Sequence, residues 1–245
     1  MLKKTDLSKI KQVATNFMYI DIVPDNLSPV IVHHPFTMNN AVYNPHPSNS
    51  QNTIMPLFTD TGELSEPAYN IFVTEMKNRI EQAQSYFDIF IFITKPYKSA
   101  FLLYSLPYLD KQDLGKYLKE VWLSCDYVNI DKNISKSKYS SLFKKADKHT
   151  LMDDEEYEIF TNMPYTITLY RGINKTSNHP MDGMSWTSNF ETAFWFANRF
   201  SNQNWIVYTL NVPKEYVLAY FSHEEEYVVD YQYLKEHKSE ITVAY

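Results

Sequence analysis

The hydrophobic pattern changes its period at Met163-Pro164, and that change limits the possible folds more than any other feature of the 245-residue sequence. Upstream, from Glu66 to Met163, apolar residues recur every three or four positions. Tyr69, Phe72, Val73, Met76, Ile80 and Ala83 follow Ser65 as a cap and Pro67 in a first turn, and Leu114, Tyr117, Leu118, Val121 and Trp122 repeat the helical face. Tyr139 to Lys148 predicts a short helix. Asp153 to Glu156 opens another, with its acids favourably placed against the helix dipole and without the glycine-bearing loop of a calcium site. Ile89 to Thr94 is a buried run that periodicity leaves open between strand and helix, ended by Lys95-Pro96. Downstream, Thr166 and Thr168 alternate with Ile167 and Leu169, and Asn204 to Val212, Val217 to Phe221, Tyr227 to Asp230 and Ile241 to Tyr245 read as further strands. One amphipathic helix, Glu191 to Phe200, interrupts them. The expected class is α+β.

Residues 1–65 are rich in Pro, Asn and Thr, with strand-like pieces at Phe17 to Val23 and Val30 to His34, and so predict a β-rich or irregular arm. Thr59-Asp60-Thr61-Gly62 reads as the turn that ends it. The expected organisation is this arm, a helical lobe over 66–163 and a β core over 164–245, with 66–245 forming one functional unit. His33, His34 and His46 lack a cysteine partner or helical histidine spacing, so they are expected as loop residues and not as metal ligands. A net charge of -6 carries no basic excess of the kind that tracks nucleic acid. Cys125 is the sole cysteine, which rules out an intrachain disulfide and fits a reducing compartment. The start lacks the apolar core of a signal peptide and no run approaches membrane-spanning length, so a cytoplasmic setting is expected.

Three short stretches in the last third carry chemistry. Tyr170-Arg171-Gly172 ends an apolar strand with a planar, permanently charged fork suited to phosphate oxygens, followed by a glycine that lets other atoms approach the backbone. Ser185-Trp186-Thr187-Ser188 opens the next strand with hydroxyls. If it is a regular strand, Ser185 and Thr187 share one face and Trp186 turns into the hydrophobic layer behind. Glu224-Glu225-Glu226 leads into Tyr227-Val228-Val229, and strand alternation would put Glu224 and Glu226 on one face and turn Glu225 away.

In order and spacing these stretches resemble the Arg-Ser-Glu class of mono-ADP-ribosyltransferases found in bacteria and their phages. The resemblance covers roughly Leu151 to Tyr245 and implies a split β core that binds NAD as a substrate, with no metal. It implies that Arg171 holds the phosphates and ribose, that backbone at Gly172 meets the nicotinamide carboxamide, and that Ser185 fixes the geometry of the site. Glu226 is implied as the catalytic carboxylate and Glu224 as the group that orients the acceptor. Thr187, on the same strand, is expected to help bind NAD, Phe190 or Trp195 is expected to wall the nicotinamide pocket, and Phe221 falls where the family recognises its acceptor. Trp186 departs from the small polar residue common there, so Thr187-Ser188 is an alternative alignment to the preferred Ser185.

The activity this implies is transfer of ADP-ribose from NAD to an unidentified protein acceptor, with arginine suggested by Glu224. A fixed carboxylate beneath the ribose stabilises positive charge that develops as nicotinamide departs. The alternatives are NAD hydrolysis with water as acceptor, a catalytically inactive phage structural or partner-binding relative, and an RNA 2'-phosphotransferase. The last family lacks a catalytic acid, so the glutamates argue against it.

Overall fold

Two units, Met1–Leu109 and Asp110–Tyr245, each build their own core in the computed structural model. It describes residues 4–19, 24–25, 28–32, 34–36, 41–44, 53–61, 63–124, 133–174, 181–199 and 204–244. The contacts therefore divide the chain at Leu109, inside the stretch expected as one helical lobe.

The first unit opens on a helix where a β-rich arm was expected. In α1 (Leu7–Phe17), Ile10, Ala14 and Phe17 lie four and three residues apart and form one buried stripe, and the Asp6 side chain caps the helix by accepting from the Lys9 amide. Phe17 thus ends a helix and does not begin a strand, and Met18 and Tyr19 form the turn after it; residues 20–23 of the expected Phe17 to Val23 piece lie outside the described residues. Strands do follow, as two separate antiparallel ladders: β1 (Pro24–Asp25) with β2 (Ser28–Val32), and β3 (Ala41–Asn44) with β4 (Thr53–Pro56). The turn at Thr59 to Thr61 closes a small bridge between Phe58 and Leu64, as its sequence predicts, with Gly62 outside the described residues.

Helix α2 (Glu66–Gln82) then buries Ala68, Phe72, Met76 and Ile80. The ambiguous apolar run resolves as helix, α3 (Tyr86–Phe90), continued by tight i→i−3 bonds at Phe92 and Ile93. Pro96 sits in the 3-10 turn that leads into α4 (Lys98–Ser105), where Phe101 meets Phe17 edge-on. His34 is a core residue of this unit and not a loop residue. It is fully buried, edge-on to Phe72, and desolvation pulls its pKa down to about 4, so the ring is neutral at ordinary pH. His33 and His46 lie outside the described residues.

In the second unit, α5 (Lys111–Ser124) buries the apolar stripe its spacing predicts, including Tyr117, Leu118, Val121 and Trp122. Three more helices, α6 (Lys136–Lys145), α7 (Lys148–Leu151) and α8 (Asp154–Asn162), precede the strands. The acidic cluster behaves as a cap, because Asp153 and Glu156 form a capping box at the start of α8.

The strands are β5 (Thr166–Asn174), β6 (Ser185–Thr187), β7 (Trp205–Pro213), β8 (Val217–Phe221), β9 (Glu226–Val229) and β10 (Thr242–Val243), with α9 (Phe190–Asn198) between β6 and β7 and α10 (Tyr231–Glu236) after β9. They form one antiparallel sheet in the order β10-β7-β5-β6-β9-β8. Pairing is uneven. β5 and β7 run in register from Thr166–Pro213 to Asn174–Trp205, whereas β5 and β6 share one pair, Tyr170 with Thr187. Beyond that pair the two strands part, and the sheet forks on the side of Arg171 and Ser185.

Candidate functional site

Strand alternation sets up the fork. Ile167, Leu169, Arg171 and Ile173 leave β5 on its buried side, while Tyr170 and Gly172 leave on the other. Arg171 is consequently 8% exposed, unusual for a permanently charged side chain. Its Nη1 donates to the Ser185 carbonyl oxygen at 2.6 Å, at the point where main-chain pairing between β5 and β6 has ended. The guanidinium therefore replaces a ladder bond and ties the two halves of the sheet across the fork. Burial lowers the Arg171 pKa to about 10, against the opposing charges of Glu226 and Asp182, so the group remains cationic at neutral pH.

The two glycines at these strands do different work. A Cβ on Gly183 would come within 2.2 Å of an Arg171 guanidinium nitrogen, so the cation lies directly on this residue. A Cβ on Gly172 would come within 1.7 Å of the Ala193 carbonyl oxygen, so the room this glycine leaves is filled by α9 packing onto β5.

Glu226 opens β9 opposite Thr187 in β6. Its carboxylate accepts from the Ser185 hydroxyl and, at Oε1, from the Trp122 indole nitrogen at 3.0 Å. Burial raises its pKa above the ordinary 4.5, and the charge of Glu224 adds to the rise; the two hydrogen bonds and Arg171 work against it. Arg171, Ser185 and Glu226 thus meet on three neighbouring strands, although 55 positions separate the first from the last. Trp186 turns the other way, 2% exposed, its indole donating to the Gly183 carbonyl.

Other candidates stand elsewhere. Strand alternation does not hold through the glutamates: Ser222 to Glu224 form a 3-10 turn, and Glu225 adopts φ 49°, the one non-glycine positive φ among the described residues. Glu224 is therefore an exposed turn residue near Glu226 and not its neighbour on a strand face. Phe221 ends β8 fully buried beside Phe143, a core position and not an accessible acceptor contact. Phe190 packs edge-on against Tyr170, which leaves β5 on the side opposite Arg171. Ala193 and Ala197 face the sheet, so Trp195, half a turn from each, points outward and is 59% exposed. The Thr187 hydroxyl accepts from the Asn189 amide and shapes the turn into α9.

Several partners of the site were not visible in the motifs. Lys136, the first residue of α6, pairs with Asp182 at 2.8 Å, which fastens the segment before β6 near the guanidinium. Glu156 accepts from Lys119 at 2.6 Å and from the amide and hydroxyl of Ser222, which anchors the turn leading to Glu226. Trp122 appeared only as one member of a buried stripe. Its signal was chemical: a buried indole N–H needs an acceptor, and an apolar helix face offers none.

No group of three or more potential metal ligands occurs among the described residues, and no helix there is long and apolar enough to cross a membrane. Set against protein-family models, curated proteins and solved structures, the chain finds no match in any of the three.

Proposed function

We propose that the chain cleaves NAD at the bond between nicotinamide and ribose and transfers ADP-ribose to a protein side chain, arginine being the expected acceptor. The observation that carries this reading is the convergence of a buried guanidinium, a serine hydroxyl and a glutamate held by two donors at the fork of the sheet. The likeness of the same three motifs to Arg-Ser-Glu mono-ADP-ribosyltransferases supports it.

The chemistry follows from the charges. Arg171 offers fixed positive charge to the pyrophosphate. As the glycosidic bond lengthens, electrons leave with nicotinamide and positive charge grows on the ribose. Glu226, ionised, faces that charge from a site where burial strengthens the interaction, and Ser185 keeps its carboxylate in place. The acceptor nitrogen attacks the opposite face of the ribose, inverts the anomeric carbon and gives up a proton.

Hydrolysis by the same residues is the second reading. It is favoured by Glu224, which lies in an exposed turn and not on the strand face that would aim it at an acceptor. Incubation with NAD labelled in the adenylate half, together with cell lysate, separates the two. Label on arginine-containing peptides by mass spectrometry is the expected result. Free ADP-ribose alone would leave hydrolysis, and intact NAD would overturn both.

A further inference from the structure

Helix α5 reaches the acid site twice. Lys119 holds Glu156, which in turn holds the amide and hydroxyl of Ser222 where the turn toward Glu226 begins. One helical turn later, Trp122 donates its indole N–H to Glu226 Oε1 at 3.0 Å. The ring has little freedom to do otherwise. It is 3% exposed and gripped edge-on by Tyr139 at 5.3 Å and Phe143 at 5.0 Å, both from α6.

A neutral donor suits this acid in a way a cation would not. An ammonium or guanidinium in the same position would neutralise the carboxylate and weaken its pull on a cationic ribose. An indole N–H cannot be lost at ordinary pH and carries no net charge, so it fixes the carboxylate and favours its ionised form while leaving the negative charge in place. The motif residues alone do not supply this contact, because Trp122 lies 104 positions from Glu226 in the sequence.

We propose that Trp122 is a positioning residue for Glu226: its indole N–H, and not merely the bulk of its ring, holds the carboxylate in a working orientation and in its ionised state. This rests on the reading of the site as an NAD-cleaving centre. Trp122 touches Glu226 and is not assigned a contact with NAD.

The test separates the N–H from the ring. Site-specific replacement of Trp122 by 3-benzothienylalanine keeps the bicyclic shape and removes the donor; Trp122→Phe removes both donor and volume. In each, kcat for nicotinamide release is expected to fall roughly tenfold with KM little changed, and the acid limb of the rate profile to move up by roughly one pH unit. Without NAD, the Glu226 carboxyl carbon, identified by 13C NMR difference against Glu226→Gln, should show the same upward movement. In the wild type, the Trp122 indole resonance should titrate with the Glu226 midpoint, and that titration should vanish in Glu226→Gln. An unchanged rate and midpoint in the benzothienyl protein, or an indole resonance indifferent to Glu226, would overturn the proposal. A wild-type protein that leaves NAD intact would instead sink the functional reading, while the two NMR titrations still decide the role of Trp122.

Discussion

Two glutamates of the second unit are held from the same helix, and their surroundings differ in kind. At the start of α8, Glu156 is 3% exposed and satisfied on both oxygens: Oε2 takes the Lys119 ammonium and the Asp153 amide, and Oε1 takes the amide and hydroxyl of Ser222. At the start of β9, Glu226 receives two neutral donors, the Trp122 indole and the Ser185 hydroxyl, with Arg171 acting on it as a nearby charge. The first arrangement cancels a charge to anchor a turn. The second keeps a charge available beside a fork in the sheet. A carboxylate held by interior donors is therefore informative about function only once those donors have been sorted into charged and neutral.

The comparison breaks most readily at the neutral-donor site. Glu226→Gln keeps the shape and removes the charge, so nicotinamide release should fall by about 100- to 1000-fold while the NAD dissociation constant holds within a few-fold. Steady-state kinetics beside calorimetric binding would show it. Equal loss of binding and turnover would make Glu226 a structural acid like Glu156. Conversely, Glu156→Ala should cost about 3 kcal/mol in denaturant unfolding, since it leaves the Lys119 ammonium only the more distant Asp153 carboxylate and removes the acceptor of the Ser222 amide. A loss under 1 kcal/mol would show that the turn does not depend on this anchor.

The same comparison extends to pH. The folded-state pKa of Glu226 is raised, so the unfolded chain gives up this proton first as pH rises through 4.5. The native state then loses stability until its own pKa is passed, after which the loss is constant. Glu226→Gln escapes this, so its thermal midpoint should exceed that of the wild type at pH 7, with the gap closing as pH falls through the raised value toward 4.5. A gap independent of pH would remove the charge from the explanation. The smallest effect expected is at Glu225, whose positive φ favours glycine: Glu225→Gly should raise stability by up to about 1 kcal/mol in the same unfolding assay.

Much of the second unit was legible in the sequence because local rules governed it. Alternation turned Trp186 inward, and helical spacing found the face of α5. Local rules failed where a tertiary contact prevailed. Alternation was carried through Glu224 to Glu226, but the chain enters β9 through a 3-10 turn anchored by Glu156, which no local pattern encodes. Motif position alone points to Phe221, and aromatic character alone to Trp195; burial in β8 and the outward side of α9 decide their placement. In the first unit the Pro and Asn density of the segment after α1 dominates the reading of residues 1–65 and obscures a three-residue helical stripe in α1.

NAD cleavage at this site requires Arg171, Ser185 and Glu226 to grip one dinucleotide. A crystal structure of Glu226→Gln soaked with NAD tests this most directly, because the variant should bind without turnover. The expected density places the pyrophosphate on the Arg171 guanidinium and the nicotinamide ribose within hydrogen-bonding distance of residue 226. NAD bound away from the fork, or absent at saturating concentration, would contradict it.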